Sequence, residues 1–397
     1  MFLPLPEGPE GEGWGEGEQD IRSLGRSALD SATENRPKGH MALKHSSFQV
    51  SGFAGVADSR CLAICDDQGR PIRKEPKNKL HGACQSAIFD SQLSMRVLIV
   101  GCGYVGLPLG RELVRQGHEV LGLRRSTVAD AELRAVGIQP CSGDVTRPEA
   151  LSHLPGPFDW VVNCVSSTKG GVEEYREVYV NGSRNLIEWL GAASPKKFVY
   201  TSSTSVYGQT DGSVVKEDSL TEPASETSKL LVEAEKLLLA AWAQKKFPAV
   251  ILRVAGIYGA ERGHLFRQYL KNQAKITGNG DRIINMVHQD DLVAVIIAAL
   301  KNARPGEVYN VVDDEPVTEL HFFRWLSETL GKWMPPFATD VESTEPKRGL
   351  TNKKISNRRL KMELGYQFKY PNFRQGYTAE ITRLEHSGQL DIELEPR

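Results

Sequence analysis

The chain has no apolar run near the roughly 20 residues that a membrane-spanning helix needs; VAVIIAAL, residues 293–300, has only the length of a buried helix. It also has no charge excess. Its 49 lysines and arginines against 50 aspartates and glutamates, net -1, give nucleic acid or an anionic bilayer no electrostatic hold. Cysteine is scarce, six in 397 residues, too few for a disulfide scaffold, so reduced thiols are expected. The first twenty residues, MFLPLPEGPEGEGWGEGEQD, are acidic and lack a basic segment, so neither a secretory nor an organellar leader is expected. These absences point to a cytoplasmic protein whose partner is a small-molecule substrate, with no nucleic acid and no membrane, working as a monomer or homodimer.

Hydrophobic periodicity is missing from residues 1–94, which start rich in Gly, Glu and Pro. Such a segment buries too little apolar surface to offset the entropy of ordering it, so a disordered or non-native extension is expected, with Met95 as the natural start. Within it Cys61, Cys65, His81 and Cys84 give C-x3-C then H-x2-C. The spacing departs from the commoner C-x2-C and no apolar pattern surrounds it, so no metal is expected.

What is present begins abruptly with MRVLIVGCGYVG at Met95. RVLIVG, EVLGLRR, FDWVVNCV, KFVYTSS and AVILRV are short apolar runs, and helical periods separate them, notably at 172–190 and 226–242. This alternation predicts an α/β fold: a Rossmann-type doubly wound parallel sheet over 95–255. The rhythm loosens afterwards, with helices near 290–302 and 318–331 and a strand at VYNVV. A smaller C-terminal substrate-binding region is expected over 256–397, with some segments returning to the sheet.

The first strand runs into Gly101, Gly103 and Gly106, G-x-G-x-x-G opening a helix. Gly101 allows the turn, Gly103 lets a pyrophosphate approach the backbone, and Gly106 lets helix pack on strand; Tyr104 and Val105 complete the turn. Arg124 and Arg125 end the second strand, where Asp or Glu would hold the ribose 2′-OH of NAD. Arginine suits a 2′-phosphate, so NADP is expected over NAD. Asp144 and Val145 follow the third strand and Cys164 ends the fourth; all three are expected at the cofactor, with a plain turn as the alternative for Asp144.

FVYTSSTSVYG, residues 198–208, puts five hydroxyls at the end of a buried strand, where a parallel sheet binds its ligand. With YVNGSRNL, ILRVAGIYG, NMVHQDD and EVYNVVDDE it resembles the extended short-chain dehydrogenase/reductases, the NAD-dependent epimerase/dehydratase family, over about 95–385. The resemblance implies an oxidoreductase or epimerase/dehydratase acting on a hydroxyl or carbonyl, with nucleotide sugars among the candidate substrates. It implies that Ser203 binds the substrate oxygen, that Lys229 holds the nicotinamide ribose, and that Asn181 lies near the site. Tyr207 and His288 match positions that line the substrate pocket.

One departure stands out. The family's Y-x-x-x-K tyrosine falls on Ser225, in TEPASETSK, and a serine hydroxyl is too weak an acid to shuttle protons at neutral pH. Tyr207 is the first candidate to replace it as a catalytic group, followed by Tyr258 and His288; packing beside a Gly turn, or capping a helix in the case of His288, is the alternative for each. If nothing replaces it, the chain is an NADP-binding sensor or interaction protein. KKISNRRLKMELGY, residues 353–366, is basic enough to attract a phosphorylated substrate but reads more simply as an amphipathic helix with a solvated face.

Overall fold

Arg96–Val100 shows why the sheet forms: side chains alternate between two apolar layers, Val97 and Ile99 packing into one and Leu98 and Val100 into the other. Only a strand covered on both faces needs apolar residues at every position. The computed structural model describes residues 93–338 and 351–390, which lie within one compact unit, Ser86–Arg397. The N-terminal extension falls almost wholly outside the described residues, and the Cys61, Cys65, His81 and Cys84 pattern wholly so.

In chain order the strands are β1 Arg96–Val100, β2 Glu119–Arg124, β3 Gln139–Ser142, β4 Trp160–Asn163, β5 Lys197–Ser203, β6 Val214–Val215 and β7 Ala249–Val254. They continue with β8 Gly256–Tyr258, β9 Ile283–Ile284, β10 Met286–His288, β11 Val308–Val311, β12 Val317–Thr318 and β13 Lys354–Ile355. The helices are α1 Gly106–Arg115, α2 Asp130–Ala135, α3 Pro148–Ser152, α4 Val172–Tyr175, α5 Gly182–Gly191 and α6 Glu226–Lys245. The C-terminal part adds α7 His264–Leu270, α8 Gln289–Asn302, α9 Glu319–Leu330, α10 Arg358–Leu364 and α11 Phe373–His386.

Seven strands form the main sheet in the order β11-β7-β5-β4-β1-β2-β3, every neighbouring pair parallel. The fold is therefore a Rossmann-type doubly wound sheet. The strand order reverses between β1 and β4, and a crevice opens there at the carboxyl ends of the strands. β11 pairs with β7, so the C-terminal part of the chain supplies the sheet's last strand. The rest of that part builds a separate aromatic core from Tyr258, Phe266, Phe322, Phe323, Phe373 and Tyr377. Three short two-stranded ladders, β8 with β10, β9 with β12 and β6 with β13, link it to the loops above the main sheet.

The segment between β4 and β5 is expected from sequence as one helix over 172–190. It is interrupted instead: six residues, Arg176–Asn181, take the wider π-helical turn between α4 and α5. Such bulges rotate a helix face locally, and this one carries Val178 and Tyr179 to the wall of the cleft.

Gly106 is held by packing. A Cβ there would sit 2.7 Å from the carbonyl oxygen of Gly101 and 2.9 Å from Cγ2 of Ile99. Gly106→Ala is expected to lower unfolding stability by about 1–3 kcal/mol, the usual scale of overpacking. A urea midpoint equal to wild type would contradict this contact.

Candidate active site

Gly101 has φ +86° and a Cβ there would meet the backbone of Val165 at 2.7 Å, so only glycine makes this turn out of β1. At Gly103 the position of a Cβ is open, with nothing within 4 Å, and it faces a cleft of about 1340 Å³. α1 then starts with no side-chain cap at Val105. The N–H groups of Leu107 and Leu109 donate to the carbonyls of Gly103 and Val105 and Pro108 has none, so what the turn offers a ligand is chiefly the positive end of the helix dipole. An uncapped helix end beside an open glycine fits a dinucleotide pyrophosphate.

Every residue expected from sequence at the cofactor except Gly106 and Lys229 lines this cleft: Gly101, Gly103, Tyr104, Val105, Arg124, Arg125, Asp144, Val145 and Cys164. Arg124 bonds the carbonyl of Cys102 through Nε and pairs with Glu132 at 3.3 Å, while Arg125 reaches Oγ1 of Thr168 at 3.3 Å. Asp144 accepts from the N–H and hydroxyl of Thr146 through Oδ1, at 3.0 and 2.9 Å. Burial pushes the Cys164 thiol well above its ordinary range, so it lines the cleft as an apolar group. The guanidinium of Arg262 lies over the Tyr104 ring at 4.3 Å.

Ser203 ends β5 in the cleft and caps the following turn, its Oγ accepting from the N–H of Ser205 at 3.2 Å. Beneath it lies a buried polar network. Glu235 on α6 takes 2.8 and 3.2 Å bonds from Arg253 on β7 and a 2.6 Å bond from the hydroxyl of Ser202. Arg253 also donates to the Tyr207 hydroxyl at 2.8 Å, and that hydroxyl donates to Asn310 at 2.7 Å.

This network corrects the expectation for Tyr207. Its side chain is fully buried, its oxygen is engaged on both sides, and burial raises its pKa, so it props up the cleft from below and does not line it. The expectations for Tyr258 and His288 are corrected for similar reasons. Tyr258 stacks on Tyr377 with ring centroids 4.4 Å apart in the aromatic core, and burial raises its pKa strongly. His288 caps α8, accepting at Nδ1 from the N–H of Asp290 at 3.1 Å, and burial lowers its pKa. Asn181 bonds Glu177 and Arg184 and is not part of the cleft wall.

Lys229 is the largest correction. Glu235 points inward to Arg253, and Leu231, one turn earlier, lines the cleft. Lys229 is two residues from Leu231, roughly 200° of helical rotation. Its side chain is half exposed and pairs with Glu226 at 2.6 Å, outside the cofactor cleft. Ser225 is the cap of α6, accepting from the N–H of Ser228 at 3.3 Å. The positions four residues apart on the inner face are therefore Thr227 and Leu231, and neither residue type is a neutral-pH acid or a cation.

The sequence reading also missed Lys353. It lies in the cleft wall with 4% of its surface exposed, its ammonium donating to the carbonyl of Tyr207 at 2.9 Å and to Oγ1 of Thr351 at 2.8 Å. Burial lowers its pKa to about 8. The simpler reading of residues 353–366 holds only further on, where Arg359 pairs with Glu307 and Glu363 and Lys361 with Asp314. The signal for Lys353 was weak, since it stands beside Lys354 in a basic run.

The sequence pattern of the NAD-dependent epimerase/dehydratase family matches residues 97–312, more than half of the chain. Protein YeeZ of Escherichia coli is 26% identical over 292 residues, 70% of this chain and 97% of its own length. The human dTDP-D-glucose 4,6-dehydratase is 30% identical over a shorter stretch, 35% of this chain and 41% of that protein. Among solved structures, a putative NAD-dependent epimerase/dehydratase from Methylobacillus flagellatus is 34% identical. It has a TM-score of 0.59, with 73% of this chain and 99% of that one covered.

Two variants separate the framework from the cleft. Tyr207→Phe is expected to cost about 1–3 kcal/mol of stability, because Arg253 and Asn310 each lose a buried partner. Lys229→Ala is expected to leave nicotinamide nucleotide affinity within about twofold of wild type, as for a surface charge. A large affinity loss in Lys229→Ala, measured by fluorescence titration, would place that lysine back in the cleft.

Proposed function

The chain belongs to the NAD-dependent epimerase/dehydratase family, and on that premise we propose that it is an NADP-dependent enzyme of oxidoreductase or epimerase/dehydratase type. It acts on the hydroxyl or carbonyl carbon of a small molecule, with a nucleotide sugar as the substrate class. The observation that carries this reading is one cleft lined both by the glycine turn of β1 and by Ser203 at the end of β5. A nicotinamide ring bound there supplies hydride acceptance and return. The chain's own residues hold the pyrophosphate at Gly103 and α1 and orient the substrate oxygen at Ser203.

Several features support NADP. Arg124 and Arg125 both line the cleft at the end of β2, where a 2′-phosphate would lie. Among the described residues Arg125 has only a neutral threonine partner, at 3.3 Å, and so has its charge to spare. A dTDP-glucose 4,6-dehydratase from Bacillus anthracis, 20% identical and alike in fold alone, is in complex with NAD, so the two arginines are what sets NADP apart here. The nucleotide-sugar class is supported by the likeness to the human dTDP-D-glucose 4,6-dehydratase. A cytoplasmic setting goes with this reading, supported by unpaired Cys102, Cys141 and Cys164 and by the lack, among the described residues, of a helix long and apolar enough to cross a membrane.

Thr227 and Leu231 favour a second reading, in which the protein binds NADP and reports its redox state without turnover. General acid–base help is commonly worth about 10²- to 10⁴-fold, so losing it without replacement leaves little catalysis.

NADPH and NADH titrations followed by assays, with NADP⁺ present, of both dTDP-glucose conversion and net NADP⁺ reduction test both. NADPH is expected to bind more tightly, and Arg125→Ser to lose about tenfold in NADPH affinity while leaving NADH unchanged, as for one charge-assisted hydrogen bond. Equal affinities for the two nucleotides in wild type would contradict the NADP assignment. Tight binding with no turnover of any hydroxyl or carbonyl compound would favour the sensor.

A further inference from the structure

We propose that the Lys353 side chain is a catalytic residue, the group that exchanges a proton with the reacting oxygen of the substrate in place of the missing tyrosine. The inference rests on the cofactor cleft proposed above and adds the acid–base group that reading lacks.

Location is the first argument. Lys353 lines the same cleft as Ser203 and Ser205, and its ammonium is tied to the carbonyl of Tyr207, four residues beyond Ser203 on the loop that leaves β5. The tie is built into the chain, since Asn352 donates to Gln209 at 3.0 Å and β13 pairs with β6 directly after Lys353. Asn285 holds the carbonyl of Lys353 from the other side, at 2.9 Å. A long flexible side chain is thereby fixed at both ends.

Valence is the second. An ammonium has three donors, and Tyr207 and Thr351 take two. Lys353 has no ion-pair partner among the described residues. Charged groups on the neighbouring elements are engaged elsewhere: Arg282 with Glu319 at 3.0 Å, Arg253 with Glu235 at 2.8 Å, and the Glu217 carboxylate with the N–H of Asn310 at 2.9 Å. A buried cation without an anion is costly, so this position is kept for something other than stability. Burial alone brings its titration to about 8, where both protonation states are populated near neutral pH.

The step balances. With the amine neutral, Lys353 takes the proton of the substrate hydroxyl as that carbon's hydride leaves for the oxidised nicotinamide, giving a carbonyl, a reduced cofactor and an ammonium. In reverse the ammonium returns the proton as hydride reaches the carbonyl carbon. Ser203 orients the oxygen and exchanges no net proton.

The test uses the full chain carrying lysine labelled with ¹³C at Cε, with the Lys353 resonance assigned by its disappearance in Lys353→Arg. The resonance is titrated against pH without nucleotide, with NADPH and with NADP⁺. The expected midpoint is about 8 in the free protein. NADP⁺ is expected to lower it by about one pH unit relative to NADPH, because only the oxidised ring adds a positive charge nearby. Midpoints identical in the two complexes would overturn the proposal, since the amine would then be remote from the nicotinamide. So would a midpoint in the ordinary lysine range. Absence of any saturable nucleotide binding would overturn the cleft assignment and this inference together. Lys353→Arg retains the charge and the link to the Tyr207 carbonyl, so the assigning variant is expected to fold.

Discussion

Glu235 and Arg253 are buried together, and much of the active region depends on that ion pair. It joins α6 to β7 at 2.8 Å and is extended by Ser202 on β5 and by the Tyr207 hydroxyl. Removing either charge would leave the other stranded in the core, at a cost of about 3–5 kcal/mol. Because the pair fixes the rotation of α6, it fixes which side chains that helix gives to the cleft. Leu231 and Thr227 share the face of Glu235, and Lys229 does not.

That constraint shapes the chemistry available. A nicotinamide-dependent oxidoreduction needs a cofactor cradle, a group to hold the substrate oxygen and a group to move its proton. The glycine turn and the uncapped start of α1 suit the first, and Ser203 the second. α6 contributes nothing ionisable for the third, and the tyrosines expected from sequence to stand in are committed to the framework. The buried lysine arrives from a different part of the chain, held by the loop that leaves β5.

Strand positions and the glycine turn were legible because they depend on local pattern: short continuous apolar runs, and three glycines at one strand end. The register of α6 was not, because it is set by a contact between residues 18 positions apart in sequence. A clue existed. Glu235 interrupts the apolar stripe of Leu230, Ala234 and Leu238, and Arg253 interrupts AVILRV, so opposite charges sat in two runs that bury everything else. Motif spacing favoured Lys229 because a serine and a lysine stand four apart, and spacing alone is blind to which face is buried. Tyr207 is similar: it lies beside the hydroxyl cluster of β5 in sequence, but the turn after Ser203 places its side chain in the buried network with Arg253 and Asn310.

A crystal structure of the full chain with NADP⁺ bound tests the central claim most directly, that α6 presents Leu231 and not Lys229 to the cofactor. The account predicts the nicotinamide ribose against Leu231, Ser203 and Lys353 facing the ring, and Lys229 still paired with Glu226. The ammonium of Lys229 found on the nicotinamide ribose, with α6 rotated to bring it there, would contradict it.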